Sequence, residues 1–104
     1  GYEPTPKKWL NGEEFFYTRV QGDSMVNARI NDGDLVLIRK QTDVDNGEIA
    51  AVVMDDQIYL KRVYKQDGKI ILQSENPHYA PIIKDTKKSD CFIIGKLKKV
   101  IINM

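Results

Sequence analysis

Two side chains in this 104-residue chain could do covalent chemistry together: the hydroxyl of Ser24 and the amine of Lys61. Ser24 lies in Val20-Gln21-Gly22-Asp23-Ser24-Met25, which follows the strand-like run 15–20 and reads as a sharp turn out of it. Gly22 lacks a Cβ and permits the tight backbone that such a turn needs. Lys61 sits inside a second apolar run, 57–64, where a charge is out of place. Strand alternation puts Tyr59, Lys61 and Val63 on one face and Ile58, Leu60, Arg62 and Tyr64 on the other. A lysine flanked by a tyrosine and a valine is expected to be partly desolvated.

The chemistry follows from that pairing. A serine hydroxyl is a weak nucleophile until a neighbouring base takes its proton. Lysine is such a base only when neutral. Lowering its pKa from about 10.4 to ~7–8 works against the charged form by about 4 kcal/mol, which burial among apolar groups can supply. Tyr59 and Val63 are the expected walls, and Met25 is expected to help close them. Backbone N–H groups of Asp23 or Ser24 are expected to receive a developing oxyanion. The Asp23 carboxylate is expected to point to solvent, because beside Lys61 it would hold the ammonium charged. Taken singly, each residue has an ordinary reading: a turn serine bonding its own backbone, and a strand lysine snorkelling to water.

Other reactive groups carry less. His78 is the sole histidine, so a Ser-His-Asp set could only join it to Ser24; it follows Asn76-Pro77 and reads as a surface loop residue. Cys91, the single cysteine, excludes an internal disulfide and is expected to be a buried, inert thiol. Asp43-Val44-Asp45-Asn46-Gly47 has calcium-loop character, but its glycine comes one position early and the later glutamate is missing. One histidine and one cysteine make no zinc set. No metal or cofactor is expected. Lys96, Lys98 and Lys99 alternate with apolar residues and are expected to form the solvated face of the last strand.

The elements that must position Ser24 and Lys61 are short strands with turns between them. Residues 1–14 read as an extended lead-in, a remnant of a linker or tag, with Trp9 and Leu10 anchoring it; residues 15–104 read as the functional domain. After the Ser24 turn, residues 25–30 are expected to make one helical turn, and Asn31-Asp32-Gly33-Asp34 a reverse turn. Strands are expected over 35–39, 48–54, 57–64 and 69–73, with tight turns at Asp55-Asp56 and Asp67-Gly68. Residues 74–88 read as loop, and 92–102 as a long closing strand with Gly95 at a bulge. The fold class is mostly β, an antiparallel barrel- or sandwich-like domain with little helix.

Composition is compatible with that. The chain is 41% hydrophobic and 30% charged, as for a single soluble globular domain. Its 16 basic and 15 acidic residues leave a net charge of +1, which gives no general nucleic-acid surface. No apolar run reaches the ~20 residues of a membrane helix, and no signal peptide is expected.

The two site motifs belong to an ordered set. Gly22-Asp23-Ser24-Met25, Ile30-Asn31-Asp32-Gly33-Asp34-Leu35-Val36, Asn46-Gly47-Glu48-Ile49-Ala50 and Leu60-Lys61-Arg62-Val63 resemble the C-terminal, peptidase S24 domain of LexA-like and phage-type repressors. The Gly-Asp-Ser-Met form is similar to the UmuD branch. Ser74-Glu75-Asn76-Pro77, Tyr79-Ala80-Pro81-Ile82 and Phe92-Ile93-Ile94-Gly95-Lys96-Leu97 extend the resemblance from about residue 16 to about residue 102. It implies a serine peptidase with Ser24 as nucleophile and Lys61 as general base, Gly22 shaping the turn, and Asp23 and Met25 supporting the oxyanion. It implies self-cleavage of one upstream Ala-Gly or Cys-Gly bond, with a RecA filament on single-stranded DNA as trigger. It also implies a cytoplasmic homodimer in the SOS response, touching operator DNA only through an N-terminal helix-turn-helix domain.

This chain departs from the pattern at one point. It contains no Ala-Gly or Cys-Gly pair, and Gly1 lies only 23 positions before Ser24. The sequence is therefore expected to lack the cleavage segment and the DNA-binding domain, and to be unable to cut itself. Other readings stay open: a non-catalytic dimerisation or sensing domain, with the closing strand as guessed interface; a UmuD-like polymerase accessory protein; or a signal-peptidase-like enzyme, which would need a membrane anchor.

Overall fold

A computed structural model describes residues 2–8, 12–87 and 90–102, the first stretch by its backbone alone. Eight strands appear among the described residues: β1 (Tyr2–Lys8), β2 (Glu14–Arg19), β3 (Leu35–Lys40), β4 (Ile49–Met54), β5 (Gln57–Gln66), β6 (Lys69–Gln73), β7 (Ile82–Asp85) and β8 (Phe92–Ile101). A single 3₁₀ turn, Val26–Ala28, is the only described helix. The strands form one antiparallel sheet in the order β1-β2-β3-β8-β4-β5-β6-β7. β1 and β7 do not pair with each other among the described residues, so the sheet is open rather than a closed barrel.

The core has two parts because the central strands are covered on both faces. β4 reads Ile-Ala-Ala-Val-Val-Met with no polar alternation, and Ala50, Ala51 and Val52 are all fully buried. Ala51 joins Phe16, Met25, Ile30, Val36, Ile38 and Leu60 in one cluster. Ala50 and Val52 join Val44, Met54, Val63, Ile70, Leu72 and Ile93 in the other, with Tyr59 packed against it. β5 supplies both: Leu60 enters the first cluster, while Tyr59 and Val63 enter the second.

β8 bridges β3 and β4. It achieves this with two bulges, which bend a strand by adding one unpaired residue. Ala51 pairs with Gly95 and Val52 with Ile93, so Ile94 is extra; Leu37 pairs with Lys99 and Ile38 with Leu97, so Lys98 is extra. Gly95 sits beside the first bulge, where a Cβ would come within 2.3 Å of Ile38 Cγ2 and 2.6 Å of the Arg39 carbonyl oxygen.

Several expectations need correction. The stretch 74–88 holds β7, paired with β6; four residues after Pro81, ending in Lys84-Asp85, were too short and polar at their end to read as a strand. Cys91 is half-buried rather than buried, although burial still pushes its thiol upward. Lys96 is not simply solvated: it forms an ion pair with Glu48. Trp9 and Leu10 lie outside the described residues.

Candidate active site

The Ser24 turn is built by local backbone chemistry. β2 ends at Arg19, and Val20 then donates to the Asp34 carbonyl at 2.8 Å and accepts from the Gly33 N–H at 2.9 Å. Gly22 has φ +86°, a left-handed conformation that suits glycine. Its N–H donates to Asp32 Oδ1 at 2.7 Å, and Asn31 N–H donates to Asp34 Oδ2 at 2.8 Å. The two aspartates of Asn31-Asp32-Gly33-Asp34 thus brace the turn that carries Ser24. Ser24 itself is half-buried. Among the described residues, the N–H groups of Asp23, Ser24 and Met25 donate no hydrogen bond within the protein.

Lys61 is 5% exposed. It stands between Tyr59 and Val63 on the strand face that alternation assigns it, opposite Ala50. Burial pushes its amine below the ordinary lysine value. Its Nζ lies 6.0 Å from the Tyr59 ring centre and 5.8 Å from that of Tyr79. Its hydrogen bond goes to Ser74 Oγ at 2.6 Å. Sequence reasoning missed Ser74 as a site residue, yet the signal was available. The Asp67-Gly68 turn pairs Gln66 with Lys69 and Arg62 with Gln73; one further step sets Ser74 opposite Lys61.

The loop 74–79 brings the two halves together. Asn27 N–H donates to the Glu75 carbonyl at 2.8 Å, and Glu75 N–H donates to Met25 Sδ at 3.4 Å. The Asn76 amide donates to the Asp23 carbonyl at 2.9 Å, and the Tyr79 hydroxyl to Asp23 Oδ1 at 2.5 Å. That bond to the Asp23 carboxylate pushes the Tyr79 phenol upward. The Glu75 carboxylate in turn pairs with Arg62 Nε, while Arg62 Nη1 donates to the Gly47 carbonyl at 2.5 Å. Ser74 and Asn76 are buried.

Among the described residues, three of the five predicted site residues therefore meet this loop, Asp23 and Met25 directly and Lys61 through Ser74, while Ser24 and Gly22 do not bond to it. No hydrogen bond joins Ser24 to Lys61 among the described residues. Asp23 is exposed, and its bond is to Tyr79 rather than to the lysine. Met25 is 2% exposed, packs in the cluster with Leu60, and accepts the Glu75 N–H at its sulfur. His78 is exposed and donates its N–H to Asn76 Oδ1. No group of metal-ligating side chains is found among the described residues. The calcium-like run is otherwise engaged: Asp43 pairs with Lys65, which holds its carboxyl low, and Val44 is buried. No described helix is long and apolar enough to cross a membrane.

An antiparallel β domain with almost no helix, and with a braced serine turn clasped to a buried lysine, defines a domain of the LexA C-terminal type. Residues 1–98 match the family described as Peptidase S24-like, and the chain belongs to that family. It is 46% identical over 97 residues to the LexA repressor of Thermosipho africanus, covering 92% of this chain and 48% of that protein. It is 44% identical over 99 residues to the LexA repressor of Geobacillus kaustophilus, covering 93% and 46%. With the LexA repressor of Geotalea uraniireducens it shares 40% over 97 residues, covering 93% and 48%. The chain spans about half the length of these relatives.

Proposed function

We propose that this chain is the self-cleaving and dimerising domain of a LexA-like transcriptional regulator, with residues 15–104 as its working unit. Ser24 is the nucleophile and Lys61 the general base. Lys61 takes the Ser24 proton, the Ser24 oxygen attacks the scissile carbonyl, and the N–H groups of the 23–25 turn receive the oxyanion. The lysine then returns the proton to the leaving amine, and a water deprotonated by the same lysine hydrolyses the acyl ester and frees Ser24. The bond cut is an Ala-Gly or Cys-Gly pair upstream of residue 1. Operator DNA is held by a helix-turn-helix domain on the same side, in a cytoplasmic homodimer, and a RecA filament on single-stranded DNA promotes the cut.

The observation that carries this reading is the burial of Lys61 with its amine pushed toward neutrality. A charge-bearing side chain in an apolar strand face costs stability, and a base that works near neutral pH is a function that compensates for it. A second reading has its own support: the lysine bonds Ser74 and not Ser24, as in a dimerisation or sensing domain whose cleavage is idle.

The test uses the chain extended by its natural upstream sequence, incubated from neutral to alkaline pH and followed by intact mass beside Ser24→Ala and Lys61→Ala. A single cut that rises with pH and vanishes in both variants supports the dyad. Chains that stay whole at every pH, with and without RecA filaments, favour the idle domain.

A further inference from the structure

We propose that Ser74 is the positioning residue for Lys61: its hydroxyl accepts an Nζ hydrogen of the lysine and fixes how the amine faces the Ser24 turn. This rests on the catalytic reading of Ser24 and Lys61 and deepens it.

Three observations carry it. The bond is short, 2.6 Å, and Lys61 and Ser74 are 5% and 7% exposed, so water competes poorly for it. The contact is not a chance approach of two flexible groups, because the β5–β6 ladder ends at the neighbouring pair Arg62 and Gln73 and so delivers Lys61 and Ser74 side by side. Ser74 also begins the loop whose next residues hold Met25, Asn27 and Asp23, so the same short segment grips the base and the nucleophile's turn.

The physical need is specific. A neutral lysine amine is a rotor with two hydrogens and one lone pair, at the end of a flexible stem. General-base catalysis needs the lone pair aimed at the serine proton within hydrogen-bond reach. One hydrogen anchored on Ser74 removes most orientations in which it is not. Ser74 is a poor nucleophile by comparison, since it is more enclosed than the half-buried Ser24 and lies in no braced turn.

A positioning role and a sealing role predict opposite titrations. An acceptor oxygen binds an ammonium more strongly than an amine, so the Ser74 hydroxyl favours the charged lysine. The other groups facing Nζ are the Tyr59 and Tyr79 rings, the latter bonded to the Asp23 carboxylate. Removing the acceptor while the pocket stays dry lowers the lysine's pKa; opening the pocket to water raises it.

The experiment titrates Lys61 by NMR of lysine labelled at Cε, in the natural chain and in Ser74→Ala and Ser74→Thr, with Lys61→Arg assigning the resonance. The same variants are made in the upstream-extended chain and their cleavage is timed across pH. The expected result is a midpoint moved to lower pH in Ser74→Ala and restored in Ser74→Thr. The cleavage plateau at high pH, where every lysine is neutral, falls about tenfold in Ser74→Ala, the scale of one hydrogen bond to the base. A midpoint that rises or stays put in Ser74→Ala overturns the proposal, whether or not the chain cleaves. So does an unchanged plateau. If Ser74→Ala cuts nothing while Ser24→Ala still cuts, Ser74 is itself the nucleophile and the proposal falls with the catalytic reading. If both Ser24→Ala and Lys61→Ala still cut, the catalytic reading fails at its root and the proposal falls with it, whereas a wrong midpoint shift beside a working dyad overturns the proposal alone.

Discussion

Gly95→Ala is the substitution whose cost the structure sets most directly. The added Cβ would stand 2.3 Å from Ile38 Cγ2 and 2.6 Å from the Arg39 carbonyl oxygen. A comfortable carbon contact is about 3.5 Å or more, so both neighbours must yield by roughly 1 Å. Neither can do so cheaply. Ile38 is fully buried in the Met25 core, and Arg39 is a ladder residue of β3 paired with Lys96 of β8. Overpacking alone costs about 1–3 kcal/mol, and loosening the β3–β8 ladder adds about one hydrogen bond's worth, ~1 kcal/mol. The expected loss is about 3 kcal/mol, or a fall in Tm of roughly 12–20 °C for a domain of this size. Urea unfolding of both proteins measures it, with m unchanged if the fold survives. Ile38→Ala removes one clash and leaves the other. The double variant should therefore be less destabilised than the two single losses combined, by about 1 kcal/mol. A Gly95→Ala protein within about 0.5 kcal/mol of the parent would refute the reasoning and the close β3–β8 approach with it.

Other substitutions probe the site and its supports. Lys61→Met should stabilise the domain at pH 7 by about 1 kcal/mol. Because the folded amine titrates below the unfolded one, the parent gains stability as pH rises from its folded pKa toward 10.5, and the advantage of Met should shrink by pH 10 in paired urea titrations. Arg62→Met removes the Glu75 pair and the Gly47 bond and should cost about 2 kcal/mol. Amide exchange should then quicken first at Asn27 and Tyr79, whose N–H groups bond within the 74–79 clasp. Asp55 and Asp56 both have positive φ, 51° and 61°. Asp56→Gly supplies the residue that such a two-residue hairpin turn prefers and should raise stability by about 0.5 kcal/mol, read as a higher Tm.

Much of this was legible because β signals here are local. Asp55-Asp56 and Asp67-Gly68 marked two hairpins whose turns both have the left-handed backbone expected of tight connections. Alternation along 57–64 assigned Lys61 to the face of Tyr59 and Val63, and the structure keeps it there. What could not be read was how distant segments meet. Nothing local announces that β8 inserts between β3 and β4, nor that Met25 faces a different core from Lys61. The stretch 74–88 reads as loop because Pro77 and Pro81 break its pattern, and that hides the work of 74–79. That work is done by bonds that span 50 and 53 positions of sequence, which no window of residues contains.

Those facts combine in β5. Leu60 enters the core that holds Met25, while Lys61 faces the other core and Ser74. A slip of one residue in strand register turns every side chain to the opposite face. Here it would drive Lys61 into the Met25 core and carry Leu60 to Ser74. The penalty for that exchange, a charge inserted among Phe16, Met25 and Ile38, protects the register. The Asp67-Gly68 turn, with φ of 52° and 73°, then transmits it to β6 and so to Ser74. The lysine's awkward placement, which lowers stability in its native seat, is thus also what makes its wrong seat worse. The same side chain proposed as the base helps specify the pairing that positions it.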